Sequence, residues 1–147
     1  MRIVLDTTIL VRSTEKSHGP ARDLLLNLIA GRHTLLLSNE ILHELARVLR
    51  YPRLQAFYGL SDARIYDFVG LLREVAEIVT LTPLLTPPIR DVNDIVVVQT
   101  AVLGEANVLC TRDRDFYTAP AAEFLDHAGI AVMDDISLLK RLRSTKR

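Results

Sequence analysis

Short runs of strand-forming residues alternate with longer stretches of helical periodicity, and this alternation limits the fold more than any other feature of the chain. Ile3-Val4-Leu5 reads as a buried strand, Thr34 to Leu37, Val108-Leu109-Cys110 and Ala131-Val132-Met133 as further strands, and Ile78-Val79 as the start of another. Tight hairpins cannot join strands this far apart. The stretches between them act as crossovers, which gives a parallel sheet with helices on both faces. The expected fold class is therefore α/β, a three-layer α/β/α arrangement around a central parallel sheet.

The crossovers carry their own punctuation. Pro20 suits the first turn of a helix whose apolar face is Leu24, Leu25, Leu28 and Ile29, with Gly31 as its C-cap. Ser38 or Asn39 caps the next, which presents Ile41, Leu42, Leu45, Val48 and Leu49 on one side. Ser61 caps a third, with Ile65, Phe68, Val69, Leu72, Val75 and Ala76 toward the core. Asp91 to Gly104 is ambiguous. Ile95 to Val98 favours a strand by propensity, but Asp91 as cap, Asp94 in the first turn and Gly104 as a C′ glycine favour a helix buried nearly all round. The helix is the expectation. Helices are also expected over 120–127 and 136–142, and a loop crossing the domain at the Pro-rich stretch 82–88.

Length and composition narrow the class. With 147 residues, 49% apolar and 24% charged, the chain suits one globular domain, 1–147, with a frayed basic tail at 143–147. Lys plus Arg and Asp plus Glu are both 18, so the net charge is zero and any polyanion must be met by a local patch. The single cysteine, Cys110, excludes an internal disulfide and a Cys-based zinc site. Apolar runs such as Ile95 to Val98 fall far short of the ~20 residues that span a bilayer, and no leader is visible. A cytoplasmic protein with no membrane association is expected.

In open parallel sheets, sites form at the carboxyl ends of the strands, and that edge of this chain is acidic. Asp6 ends the first strand. Asp113 and Asp115 follow the Cys110 strand, Glu44 lies on the helix after the second strand, and Asp94 lies in the first turn of the 91–104 helix. Taken singly these residues have plainer readings. Asp6 can be a helix cap, Glu44 a solvated helix residue, Asp94 an answer to the helix dipole, and Asp113 and Asp115 turn residues. Together at one rim they would raise each other's pKa, and a hard divalent cation, Mg²⁺ or Mn²⁺, would remove the conflict. Two such ions would clamp a phosphodiester for attack by water.

The run Ile3-Val4-Leu5-Asp6-Thr7-Thr8-Ile9-Leu10-Val11 resembles the opening of PIN-domain proteins. Leu37-Ser38 with Glu44-Leu45, then Asp94 with Val97, Val98 and Ala101, then Thr111-Arg112-Asp113-Arg114-Asp115-Phe116 are similar to that family's later elements, in the same order. The resemblance implies a PIN-like fold of the VapC type and a divalent-metal-dependent endoribonuclease, the toxin of a toxin–antitoxin pair. Asp6, Glu44, Asp94 and Asp113 would be its catalytic, metal-binding acids. Asp115 would be a further ligand, and Thr7, Thr8 and Thr111 would support the acids by hydrogen bonds. Its partners would be an RNA substrate, a cognate antitoxin protein and a second copy of the chain. Thr8 stands where the family usually has Asn. The alternative is a PIN-fold protein-binding module with a weak or inactive site.

Other strand-then-Asp families fit less well. A haloacid-dehalogenase-type phosphotransferase needs a second Asp two residues after the first, and position 8 is Thr. A response-regulator receiver needs a phosphorylated Asp at a mid-chain strand end, and Leu35-Leu36-Leu37 ends in Ser38. For RNA, Arg12, Arg47, Arg112 and Arg114 are the candidate phosphate contacts, because a guanidinium fork meets two oxygens at once. Arg50 and Arg53 lie nearby in sequence. Tyr51, Phe57 and Tyr58 can stack on bases, with a place in the core as the plainer expectation for Phe57. No pair among His18, His33, His43 and His127 has zinc-ligand spacing, and surface or supporting roles are expected for all four.

Overall fold

The computed structural model describes residues 1–83 and 86–145. Leu84 and Leu85, in the Pro-rich stretch, and the last two residues of the basic tail lie outside the described residues. Five strands form one sheet in the order β3-β2-β1-β4-β5, and every pairing is parallel. They are β1 (Arg2–Leu5), β2 (Thr34–Leu37), β3 (Glu77–Ile78), β4 (Val108–Cys110) and β5 (Ala131–Met133). The central strand β1 pairs Val4 with Leu36 on one side and Leu109 on the other. Ile3, Val4, Leu5, Leu36, Leu37, Val108, Leu109 and Cys110 are all fully buried. Apolar side chains on consecutive positions require cover on both faces, and the helices supply it in a three-layer α/β/α fold.

Among the described residues, eight helices accompany the strands, seven between them and one after the last: α1 (Thr7–Val11), α2 (Pro20–Ile29), α3 (Asn39–Leu49), α4 (Pro52–Tyr58), α5 (Asp62–Val75), α6 (Val92–Leu103), α7 (Ala121–His127) and α8 (Asp135–Ser144). A 3-10 turn, Arg114–Tyr117, follows β4. α2 packs on β2 and α8, while α6 lies across β1, β2 and β4 and against α3. Among the described residues, no helix is long and apolar enough to cross a membrane.

The strand and helix expectations hold in outline, with corrections. Of the two candidate caps, Ser38 is the one used, its hydroxyl accepting the Ile41 N–H at 3.3 Å. The 91–104 segment is helical, but it is not buried all round. Val97, Val98, Thr100 and Ala101 face the core, while Val92 is 71% exposed. Helix α4, absent from the sequence reading, buries none of its residues, so Phe57 stands 77% exposed instead of in the core. Its boundaries are local signals that apolar periodicity does not reveal: Pro52 at the start and Gly59 at φ 61° at the end. α8 runs on through Ser144, so the first residues of the expected frayed tail are helical.

Gly104 is needed for a reason other than the expected one. Its φ of −82° is right-handed, and Glu105 takes the positive φ of 54° in its place. A Cβ at Gly104 would sit 2.8 Å from the Thr100 carbonyl oxygen, 2.9 Å from Val79 Cγ2 and 3.0 Å from Leu36 Cδ1. Close approach of α6 to β2 therefore selects glycine. At Gly70, inside α5, a Cβ would meet nothing within 4 Å. Thermal unfolding is expected to separate the two sites. Gly104→Ala should destabilise by about 1–3 kcal/mol through overpacking, and Gly70→Ala should stabilise by about 0.5–1 kcal/mol through helix propensity.

Candidate metal centre

The rim of the sheet continues the strand ladder by one residue on each side. The Asp6 N–H donates to the Cys110 carbonyl at 3.1 Å, and the Thr111 N–H donates to the Met133 carbonyl at 2.9 Å. Beyond these bonds the chain turns into helices, and the turn-forming residues are the acids themselves. Asp6 caps α1, with one carboxylate oxygen accepting the Ile9 N–H at 2.9 Å. Asp113 caps the 3-10 turn by accepting the Asp115 N–H at 3.0 Å. Asp91 caps α6 by accepting the Asn93 N–H at 2.8 Å. The plainer reading of Asp6 and Asp113 as cap and turn residues is correct, and it is also how their carboxylates reach the cleft.

An open cleft of about 430 Å³ lies at this rim, bordered by Asp6, Thr7, Thr8, Arg12, Glu44, Asp94 and Asp113, with Val48, Leu54 and Tyr58 as its apolar wall. Carboxylate oxygens of Asp94, Asp113 and Asp115 all lie within 4.8 Å of one another. Oxygens on opposite sides of a cation with bonds of 2.1–2.6 Å are separated by about 4.2–5.2 Å, so one hard cation can touch all three. Asp6 stands beside this group at 6% exposure. The Thr111 hydroxyl donates to its second oxygen and accepts the Asp113 N–H at 3.0 Å, tying the Asp6 limb to the Asp113 limb. Thr7 and Thr8 border the cleft, and the Thr8 backbone N–H helps hold the Asp6 carboxylate.

Glu44 borders the cleft but is not one of the three clustered acids. Its carboxylate is held by Arg47 Nη2 at 2.7 and 2.8 Å, and Arg47 also hydrogen-bonds the Tyr51 hydroxyl. Arg47 is half exposed, so water screens the pair and it is weak. The other arginines divide. Arg12 lines the cleft. Arg114 is exposed and makes no ion pair among the described residues. Arg112 turns away from the cleft, its Nε 2.6 Å from a carboxylate oxygen of the fully buried Asp135. The Thr111 carbonyl accepts the Tyr117 hydroxyl at 2.6 Å, so the segment carrying Asp113 is anchored from both sides. Tyr117 carries no acidic signal, whereas Asp135 was missed although Asp134-Asp135 directly follows β5, the same strand-end signal that marks Asp6 and Asp113. Thr100 was read only as part of the α6 register. Its hydroxyl meets that of Ser38 at 2.9 Å in the core and joins the start of α3 to α6. The histidines stay out of the acid cluster. His33 contacts the N-terminal amine at 2.9 Å, and His127 contacts the Glu123 carbonyl at 2.7 Å.

The electrostatics follow from crowding. Burial pushes Asp94 up to about 6, and the charges of Asp91, Asp113, Asp6 and Asp115 add to the effect. Burial also raises Asp6, opposed by its bonds to Thr111 and Ile9. The cleft accumulates negative charge that its own cations do not cancel.

Comparisons with known proteins identify the family and the fold. The family model described as PIN domain matches residues 2–115, and the chain belongs to the PIN-domain family. Its fold is similar to that of a chain in the crystal structure of VapBC2 from Rickettsia felis bound to a DNA fragment from their promoter. The TM-score is 0.61 at 17% identity, over 91% of this chain and 98% of that one. No curated protein matches the chain.

A pH prediction follows for the metal-free protein. Asp94 is raised when folded, so its contribution to stability is full below about pH 4 and is lost as pH rises through about 6. Asp94→Asn is expected to unfold at a higher temperature than the parent at pH 7, by on the order of 1 kcal/mol after solvent screening. Near pH 4 the two should coincide. Melting curves recorded in EDTA at both pH values check this.

Proposed function

We propose that the chain is a divalent-metal-dependent endoribonuclease of the cytoplasm, the toxin of a toxin–antitoxin pair. The carrying observation is the set of Asp94, Asp113 and Asp115 oxygens converging beside the buried Asp6. All the donors are oxygens, and among the described residues no His or Cys lines the cleft. Such a donor set suits Mg²⁺ or Mn²⁺ over zinc or copper. Asp6, Glu44, Asp94 and Asp113 are the catalytic acids of this reading, with Asp115 a further metal ligand.

Bound at these acids, a divalent cation supplies charge neutralisation for a phosphodiester and a more acidic water. The residues of the chain do the positioning. Asp6 is oriented by Ile9 and Thr111, and Thr111 holds Asp113 at the same time. Glu44 joins by leaving Arg47, at a cost small beside the attraction of a divalent charge. Arg12 faces the incoming phosphate with a bidentate guanidinium. Because the cleft opens between α3, α4 and α6 at one rim, a strand of RNA can lie across it without entering the core.

An antitoxin partner is supported by the paired proteins named in the Rickettsia felis structure. A homodimer belongs to the same reading, and light scattering at micromolar concentration should show it. The second reading, a PIN-fold protein-binding module with a weak or inactive site, is favoured by one observation, the capture of Glu44 by Arg47.

Calorimetry with Mn²⁺ and gel assays of RNA cleavage separate the two. The parent protein should bind Mn²⁺ and cut RNA, and Asp94→Asn or Asp6→Asn should abolish cleavage while remaining folded. The absence of divalent binding at millimolar concentration would leave the binding-module reading. Thr111→Ala, which removes a hydroxyl without removing an acid, is expected to weaken Mn²⁺ binding about 10–100-fold.

A further inference from the structure

We propose that a second groove, beside the acidic cleft, is a binding site for single-stranded RNA flanking the phosphate to be cut. The proposal rests on the nuclease reading above and adds a substrate site to it. The groove has a volume of about 490 Å³ and is bordered by Arg12, Lys16, His18, Phe57 and Tyr58. Arg12 and Tyr58 also border the acidic cleft, so the two depressions share a wall and a strand leaving one enters the other.

The charges are sorted for this purpose. Among the described residues no carboxylate lines the second groove, although the chain as a whole has zero net charge. Glu15, the acid next to Lys16, is drawn away by Arg64, with the oxygen 2.6 Å from Nη1. Arg12 and Lys16 make no ion pair among the described residues. A polyanion repelled by four neighbouring aspartates needs cationic ground close by, and this groove provides it.

The aromatic side points the same way. α4 buries none of its residues and presents Phe57 to solvent at 77% exposure. Tyr58 and Phe57 pack edge to face, with ring centroids 4.9 Å apart at 83°, while Phe57 stays largely exposed. An exposed aromatic face beside cations is the arrangement on which unpaired bases stack. The chain that leads into the opposite wall, between Arg12 and Lys16, is held in place from beneath. Ser13 and Thr14 are fully buried, the Ser13 hydroxyl donates to the Leu10 carbonyl at 2.7 Å, and Arg22 donates to the Ser13 carbonyl at 3.0 Å. The combination of a base-stacking ring with phosphate-binding cations is what single-stranded nucleic acid needs, and a protein occupant is an outcome of the test below.

The test uses the full chain, a fluorescein-labelled single-stranded RNA of about twelve nucleotides, and fluorescence anisotropy in EDTA. Phe57→Ala should weaken binding about tenfold. Lys16→Ala should lower the slope of log affinity against log salt by about 0.7. Arg2→Ala, at the opposite edge of the sheet, should change neither. With Mn²⁺ present, both groove variants should keep the parent's Mn²⁺ isotherm and its rate on a dinucleotide, while KM for the long RNA rises at unchanged kcat. Parent-like RNA affinity in both groove variants overturns the proposal even where cleavage and metal binding are normal. Loss of self-association in those same variants would then make the groove a protein interface. If the parent neither binds Mn²⁺ nor cuts RNA, the nuclease reading fails separately, and weakened RNA binding by Phe57→Ala in EDTA still supports the groove.

Discussion

Parallel pairing of β1 with both β2 and β4 is the constraint on which the rest of the molecule depends. Each crossover starts and finishes so that strand ends collect on one edge, and residues far apart in sequence become neighbours there. The ladder ends with the Asp6 N–H on the Cys110 carbonyl, and the next residue of the neighbouring segment, Thr111, reaches back to the Asp6 carboxylate. One hydroxyl group thereby joins the first strand to the segment after the fourth. Without that register, Asp6 and Asp113 would still be caps of their own turns, but no shared cleft would form.

The acids do two jobs with one geometry. A carboxylate that caps a helix sits at the helix N-terminus, where unpaired N–H groups and the dipole favour negative charge. That local support lets Asp6, Asp91 and Asp113 crowd together despite repulsion. It does not cancel the repulsion at Asp94, which keeps a raised pKa because burial and its acidic neighbours act in the same direction. The site is thus charged in advance for a cation. It is held open by ordinary packing, with the Ser38–Thr100 contact and the close passage of Gly104 against Leu36 and Val79 keeping α6 near α3 and β2.

Much of this was legible in the residues. The four principal strands, the caps at Ser38, Ser61 and Asp91 and the acidic strand ends follow from local rules that act within a few residues. Phe57 was expected in the core, yet it lies on a short helix bounded by Pro52 and Gly59 whose Leu54 and Tyr58 pack toward the core and leave Phe57 outside. Arg112 was assigned to the phosphate because it lies between acids, yet the fully buried Asp135 draws it away. Gly104 was assigned a left-handed turn, yet it is a packing contact. For Arg112 and Gly104 the deciding neighbour is distant in the chain, whereas the signals that set Phe57 on its helix, Pro52 and Gly59, are local.

The sequence by itself determined the alternation that makes a parallel sheet, the identity of the capping residues and the supply of carboxylates, because periodicity and capping are properties of neighbouring residues. Only the tertiary structure decided which carboxylates meet. It brought Asp94, Asp113 and Asp115 within reach of one ion, left Glu44 with Arg47 and turned Phe57 outward beside Lys16. The physical reason is that convergence depends on strand order, helix docking and competition among long-range partners, none of which is written in the spacing of any single motif.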